Sequence, residues 1–323
     1  MTQTGAVKRG EGATMPDEKA PSPYDGNGAA SAQWWPSRYG PEDLIGAANE
    51  LTFERTLEAL KLPVEGRRIK LAQLLTEDVP AFPPRYWRQT VLAHGALHET
   101  RLGPGGSDMT YFEELVTGTY HIGCHVDGLG HVGIDGHFYN GHHYKDFYTA
   151  KALTQYGAET MTPWITRGVL LNIADVKGTE QLGPGYAITP DDLEAACAKQ
   201  GVEVRAGDVV LLHTGWGVKW DQDIHEYEEV EPGSSWDAAH WLTDRRVSLV
   251  GADNWAFEVI PFERENGIFI VHQHLLAETG THILENIKTQ ELADGGHSEF
   301  LFCLTPQNTK GSTGAMASPV AVV

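Results

Sequence analysis

Short apolar runs separated by turn-forming residues recur along most of this chain, and they predict the elements of its fold. Residues 169–173, 208–213, 247–252 and 300–304 are each rich in aliphatic or aromatic side chains and are followed by polar or glycine-containing turns. Such runs are typical of buried strands. Residues 269–272 show the same pattern over a shorter length, and they predict a further short strand.

The spacing of apolar residues also predicts helices. Residues 52–62 follow a helical period and end at Pro63. A second helix is predicted to begin at Thr189, which is followed by Pro190 and two acidic residues, and to end at Gly201. Residues 69–75 are predicted to form a strand or a short helix, and residues 109–120 are predicted to be extended. Strands interleaved with a few helices indicate an α/β or α+β fold, with too few helices for a (β/α)8 barrel.

The composition of the first 33 residues differs from that of the rest. This segment is rich in Gly, Ala, Ser, Pro and charged residues and contains almost no large apolar side chains, so it cannot bury enough surface to fold. We therefore expect a disordered N-terminal tail at residues 1–33 and a single domain at residues 34–323, beginning near Trp34.

Charge and cysteine content narrow the class of protein. The chain has 24 basic and 44 acidic residues and a net charge of −20, so a nucleic-acid backbone would be repelled. No apolar run is long enough to span a bilayer, and the N-terminus lacks the apolar core of a signal peptide. The three cysteines are widely spaced, as in proteins of a reducing compartment. We expect a cytoplasmic protein that binds neither nucleic acid nor membrane.

Histidine clustering gives the first indication of chemistry. His121, His125, Asp127 and His131 lie within one short segment that also contains three glycines. The glycines argue against a regular helix and favour a strand that breaks into a turn, where several side chains can point into one volume. Imidazoles with a carboxylate suit a divalent ion and leave positions for water. The alternative is a set of hydrogen-bonded loop histidines.

A second group of candidate ligands follows much later in the chain. His272 ends the predicted strand at residues 269–272, and Glu285 lies in or before the next helix. Taken alone, this pair carries little weight, because a surface glutamate is usually a solvated side chain.

The two groups together resemble the cyclase/kynurenine formamidase-like family of metal-dependent hydrolases, which includes isatin hydrolases. The family motif H-x-G-T-H-x-D-x-P-x-H is present except that Cys124 replaces the threonine and Leu129 replaces the proline. The resemblance extends in order over four other segments, at residues 34–49, 207–215, 251–253 and 272–286. The family's final arginine, after its G-x-(T/S)-G-(S/A)-P segment, is absent here.

The resemblance implies a compact swivelling β/β/α fold with a mixed sheet, a zinc or manganese cofactor of one or two ions, and a homodimer or homotetramer. It implies His121, His125 and Asp127 as ligands of the first metal. His131, His272 and Glu285 match positions that serve a second metal or acid–base catalysis. We therefore predict an amidohydrolase acting on a small amide, lactam or N-formyl substrate, with His131 and Glu285 as catalytic residues.

Two alternatives remain at this stage. The chain could be a non-hydrolytic metal-dependent cyclase or dehydratase, or a metal- or ligand-binding protein without catalysis. Cys124 bears on this choice, since it could bind a soft ion or react as a thiol, although a small buried side chain is the simpler interpretation. A further hypothesis is that Trp35, Trp87, Trp216 or Trp255 stacks on a flat substrate, against the alternative of ordinary packing.

Overall fold

The computed structural model describes residues 34–93, 111–264 and 267–323. The tail predicted at residues 1–33 lies outside the described residues. The strands of the described part are β1 (Arg68–Lys70), β2 (Trp87–Leu92), β3 (Glu113–Gly118), β4 (His125–Asp127), β5 (Trp164–Asn172), β6 (Ala187–Ile188), β7 (Val209–His213), β8 (Gly233–Ser234), β9 (Leu249–Ala252), β10 (His282–Glu285), β11 (Glu299–Leu304), β12 (Gly314–Met316) and β13 (Val320–Val322).

The helices of the same residues are mostly short. They are α1 (Phe53–Ala59), α2 (Tyr144–Phe147), α3 (Ile173–Val176), α4 (Pro190–Gln200), α5 (Lys219–Gln222), α6 (Ile224–Glu229), α7 (Trp236–Asp244), α8 (Ile270–His272) and α9 (Gln290–Asp294), with short 3-10 turns at Gly46–Glu50, Tyr139–Gly141, Ala158–Thr160 and Trp216–Val218. None of the helices in the described residues is long and apolar enough to cross a membrane.

Nine strands form one mixed sheet in the order β1-β13-β11-β5-β7-β9-β10-β4-β12. The four central strands β5, β7, β9 and β10 are parallel to one another. The strands on either side, β11 next to β5 and β4 next to β10, run antiparallel to them. The α/β fold class predicted from the sequence is confirmed, and the sheet is mixed as expected.

Both faces of the central strands are buried, which explains their nearly continuous apolar sequences. On β7, Val210 and Leu212 belong to one core cluster, whereas Val209 and Leu211 belong to a second cluster on the other face. Helices α4 and α7 cover the first face with apolar side chains. The central strands are therefore packed on both faces, and they hold the side chains of neighbouring strands in place.

Helix α4 begins as its sequence predicts. The Thr189 side chain accepts a hydrogen bond from the backbone of Asp192, and the Asp192 side chain accepts one in return from the backbone of Thr189. Gly201 ends the helix in the left-handed conformation.

The strand predicted at residues 269–272 is wrong. Phe269 has a φ of 53°, and the chain then turns helically as α8 and continues as a π-helical segment over Gln273–Thr279. A short apolar run is buried equally well in a strand or in a helix, so its pattern alone could not separate them. Glu285, predicted in or before the next helix, is the last residue of strand β10 and precedes α9.

Candidate metal centre

Strand β4 presents two ligand-type side chains on one face. Successive side chains of a strand point to opposite faces, so His125 and Asp127 point the same way, while Val126 points into the second core cluster. Both polar residues are almost fully buried, at 0% and 1% exposure. The glycine-rich segment therefore contains a short strand, as expected, and the bend before it carries His121.

The pairing of β4 with its neighbours adds a second carboxylate. Antiparallel β10 places Glu285 directly opposite His125, and the two side chains share a face. On the other side, β12 places Gly314 opposite Asp127. A Cβ atom at Gly314 would lie 2.6 Å from Cε1 of His121, so only glycine fits beside this imidazole.

The ring of His125 is fixed so that Nε2 faces carboxylates. Its Nδ1 donates a hydrogen bond to the carbonyl of Gly123 at 2.8 Å, and its Nε2 lies 3.1 Å from Oε2 of Glu285 and 3.5 Å from Oδ1 of Asp127. Burial lowers the pKa of His125, but the neighbouring Glu285 and Asp127 carboxylates outweigh burial and raise this pKa.

His272 is held in the same way from the opposite side. Its Nδ1 donates to Oε1 of Glu258 at 2.7 Å, and its Nε2 lies 3.0 Å from Oε1 of Glu285 and 3.7 Å from Oδ2 of Asp127. Burial lowers the pKa of His272, but Glu258 and Glu285 more than offset it and raise the pKa to about 10. Two imidazoles thus direct Nε2 at the same two carboxylates.

His121 and His131 form the outer part of the group. Their rings stack with centroids 3.9 Å apart. Nδ1 of His121 lies 2.8 Å from Oδ1 of Asp127, its Nε2 lies 2.8 Å from Oγ1 of Thr313, and Nε2 of His131 lies 4.0 Å from Oδ2 of Asp127. Burial lowers the pKa of His131 to about 3, against the opposing charge of Asp127. His131 is therefore a neutral imidazole at neutral pH.

The carboxylates themselves are held ionised. Burial raises the pKa of Asp127, but the surrounding histidines, His131 and His121 first, bring this pKa well below its usual value. Burial and Asp127 raise the pKa of Glu285, but the neighbouring imidazoles of His125 and His272 lower it to about 2. A buried pair of anions that is surrounded by ring nitrogens is the donor set that divalent ions prefer.

Two side-chain groups have the geometry of a metal site, and Asp127 belongs to both. The Asp127 carboxylate lies with His121 and His131 in one group and with His125 and Glu285 in the other. Within each group the ligand atoms lie within 4.8 Å of one another. Among the described residues, Nε2 of His125 and Oδ2 of Asp127 are buried without a hydrogen-bond partner. A cation would satisfy both atoms, so the residues fit one ion or two.

All six residues proposed from the sequence lie in this one cluster. The structure groups them differently from the sets that the resemblance implies, since His121 lies with His131 and not with His125. Sequence reasoning missed Glu258, Thr313 and Gly314, which position His272 and His121. Thr313 and Gly314 lie in the G-x-(T/S)-G segment at the start of β12, to which the sequence assigned no role in the site, and no motif spacing marks Glu258.

A cleft adjoins the cluster at His121. The residues that line it are Pro80, Ala81, Phe82, Arg85, His121, Ile122, Gly123, Glu228, Trp255 and Asn286. Trp255 and Phe82 stack with centroids 5.8 Å apart, so one of the four tryptophans considered from the sequence is placed to contact a flat substrate. Trp216 is fully buried in the core, and Trp35 stacks on His137.

Cys124, His213 and His142 are held by packing or hydrogen bonds outside the two metal-site groups. Cys124 is buried in the second core cluster, where burial raises the pKa of its thiol, and it belongs to neither of the two metal-site groups. His213 donates or accepts a hydrogen bond with Thr289 at 2.7 Å, and His142 pairs in the same way with Gln155. These residues stabilise loops and strand ends around the site.

Comparison with known proteins identifies the chain's relatives. A family model described as "Putative cyclase" matches residues 69–259. A solved structure called a novel cyclase has 30% sequence identity and a TM-score of 0.80, over 88% of this chain and 96% of that one. No curated protein sequence matches the chain.

More distant structures share the fold. Isatin hydrolase A from Ralstonia solanacearum is 19% identical, with a TM-score of 0.59 over 79% of this chain and 91% of its own. A predicted metal-dependent hydrolase from Bacillus stearothermophilus is 18% identical, with a TM-score of 0.52 over 79% and 97%. At these identities the likeness extends to the fold, which confirms the kynurenine formamidase-like mixed sheet expected from the resemblance.

Proposed function

The chain belongs to the cyclase family, and from that premise we propose that it is a metal-dependent hydrolase of a small amide, lactam or N-formyl substrate. The observation that carries the proposal is the pair of imidazoles, His125 and His272, that direct Nε2 at the shared carboxylates of Asp127 and Glu285. The family's solved relatives include proteins named as hydrolases, which supports the same class.

The clustered residues would hold one or two divalent ions, zinc or manganese, with His131 as a ligand only where two ions bind. When bound, such an ion lowers the pKa of water and polarises a carbonyl oxygen. The Gly123 carbonyl and the Glu258 carboxylate each hold one Nδ1–H, so the ligand rings cannot turn away from the ion.

Where one ion binds, proton transfer is assigned to His131. Its ring is neutral and lies on the more exposed side of the cluster, with its side chain 23% exposed, whereas His125 and His272 are buried between carboxylates. A neutral imidazole beside the reacting atoms can accept a proton from water and return it to the leaving nitrogen. Glu285, with its low pKa, is suited to hold charge, and we keep it as the second candidate for proton transfer.

The lining of the cleft supports a small-molecule substrate. Its mouth is lined by aromatic rings. Planar cyclic or aromatic amides can stack on such rings.

Elemental analysis of the purified protein, combined with a hydrolysis screen over aryl formamides, lactams, cyclic imides and lactones, tests the proposal. We expect bound zinc or manganese and turnover of at least one carbon–nitrogen substrate, which a chelator abolishes and added metal restores. Bound metal without hydrolysis of any of these would favour a non-hydrolytic cyclase, a dehydratase or a binding protein. Full activity in metal-free His125→Ala protein would contradict the metal mechanism.

A further inference from the structure

Arg85 lines the cleft beside the metal centre and has no ion pair among the described residues. The backbone N–H of Arg85 donates to the carbonyl of Phe82 at 2.9 Å, which fixes this turn at the cleft. Among the described residues, no carboxylate lies within ion-pair distance of the Arg85 guanidinium, whereas Arg167 and Arg245 each have such a partner. Arg85 therefore offers several hydrogen-bond donors to a molecule that enters the cleft.

The acidic residue in the cleft, Glu228, says less about the charge of a ligand than Arg85 does. Glu228 also lines the cleft and has no ion pair among the described residues. The chain has 44 acidic residues and only 24 basic ones, so unpaired carboxylates are ordinary for it. A half-buried arginine that stays unpaired despite this excess of acids is the stronger sign of an anionic ligand.

The rest of the cleft favours a flat ligand. The stacked rings of Phe82 and Trp255 form an apolar surface beside Arg85. Nε1 of Trp255 is buried and has no hydrogen-bond partner among the described residues. A planar molecule can cover the rings while its anionic group reaches the guanidinium.

We propose that the substrate is a planar amide that carries a carboxylate, and that Arg85 binds this carboxylate while the amide lies at the His121 end of the cleft. This inference rests on the proposed hydrolase function and adds a substrate class to it. Arg85 acts in binding and takes no part in bond breaking, so its loss should raise KM and leave kcat nearly unchanged.

The test compares a carboxylate-bearing aryl formamide with its uncharged methyl ester, using metal-loaded protein. We expect Arg85→Gln to raise KM for the acid by about 10- to 100-fold and to leave the ester unaffected, since a hydrogen-bonded charge contributes that much. Arg85→Lys should recover part of the loss. Arg88→Gln is the matched control, because Arg88 is exposed on strand β2 and does not line the cleft.

A binding measurement separates the two proposals. Calorimetry with a free aryl carboxylate reports on Arg85 whether or not the protein turns over any formamide. If wild type and Arg85→Gln bind the carboxylate equally, or if Glu228→Gln and not Arg85→Gln raises KM, the inference is overturned while a hydrolase remains possible. If the carboxylate binds through Arg85 but no amide is hydrolysed, the hydrolase proposal fails instead.

A separate observation concerns helix α1. Phe53, Leu57 and Leu60 are 88%, 61% and 52% exposed, and Val64 just beyond the helix is 89% exposed. The spacing of four and three residues between Phe53, Leu57 and Leu60 is that of a helix face that is normally buried. The opposite side of α1 packs on the sheet, since Ala59 is buried and the Thr56 hydroxyl donates to the carbonyl of Ile165 at 2.9 Å.

We infer that this stripe is covered by the same stripe of a second copy, packed antiparallel about a two-fold axis. In that arrangement Glu54, near the start of one helix, faces Lys61, just past the end of the other, so the charges beside the stripe are complementary. The first 33 residues of this chain have almost no large apolar side chains, so they are not suited to cover it.

Sedimentation equilibrium tests the interface. We expect Leu57→Lys to convert the dimer to monomer, Lys61→Glu to weaken the dimer by about tenfold, and the double variant Glu54→Lys/Lys61→Glu to restore it. Val91→Lys, at an equally exposed apolar residue on β2, is the control that should leave the dimer intact. A monomeric wild type, or a dimer that Val91→Lys breaks and Leu57→Lys does not, would overturn the inference.

Discussion

His125 and Glu285 lie directly opposite each other on antiparallel strands, with Nε2 of the imidazole 3.1 Å from Oε2 of the carboxylate. Both side chains are buried away from bulk water. The strand register therefore brings together a ring nitrogen and an anion from two distant parts of the sequence. With Asp127, this pair forms one of the two groups that could hold a cation.

Removal of the Glu285 charge should release the metal. Glu285→Gln keeps the size of the side chain but leaves the two imidazoles facing a neutral amide, so we expect at least a roughly tenfold loss of metal affinity, measured by elemental analysis after dialysis against a metal buffer. Glu291→Gln is the control, since Glu291 is half exposed and pairs with Arg67 outside the cluster. Unchanged metal content in Glu285→Gln would remove this residue from the ligand set.

Glu258 should matter for metal binding although its role is to orient His272. Glu258→Gln can leave the wrong His272 tautomer, with its proton on Nε2, and we expect a loss of metal affinity of about 10- to 100-fold. Glu278→Gln is a closely matched control, because Glu278 contacts Nδ1 of His274 at the same 2.7 Å distance. Equal metal affinities in the two variants would show that Glu258 is only structural.

A single methyl group at residue 314 should disturb the centre. In Gly314→Ala the new Cβ would meet the His121 ring and would lie 2.8 Å from the carbonyl oxygen of Val126, so the ring must shift. We expect weaker metal binding, with the melting temperature of the metal-loaded protein lowered more than that of the metal-free protein. Gly183→Ala is the control, since nothing lies within 4 Å of a Cβ there. Equal lowering of both melting temperatures would contradict this prediction.

The stability of the chain should depend on pH through Asp192. Burial raises the pKa of this carboxyl, but Lys177, Thr189 and Tyr186 more than offset it and lower the pKa. The unfolded state therefore binds the proton more readily, so the stabilisation is complete above the unfolded pKa of about 4 and is lost as the pH falls through the folded value.

Asp192→Asn should consequently lower the free energy of unfolding by about 1 to 2 kcal/mol at pH 7, and the difference should shrink as the pH falls below about 4. Denaturant titrations at several pH values measure it. Asp191→Asn, at an exposed neighbour in the same helix turn, should show no comparable effect. A wild-type advantage that is independent of pH would mean that the charge of Asp192 contributes nothing.

Several strands and helix α4 could be predicted because the sequence features that produce them lie close together along the chain. The apolar run that forms β7 is buried on both faces, and Thr189 caps its helix through contacts within one turn. The segment that follows Phe269 could not be assigned in this way. Its apolar residues satisfy a strand and a helix equally, and the positive φ of Phe269 is imposed by the surrounding structure.

The sequence by itself determined which kinds of ligand side chain the 121–131 segment supplies to the site. These residues lie close along the chain, and their pattern matches a family motif. Only the tertiary structure decided how they are grouped. The pairing of β4 with β10 and β12 sets which carboxylate faces which imidazole and places Gly314 beside His121, and Glu258 comes from a segment with no motif. The reason is physical: hydrogen-bonding partners and steric limits of a buried site are fixed by strand register and packing, which a linear spacing does not contain.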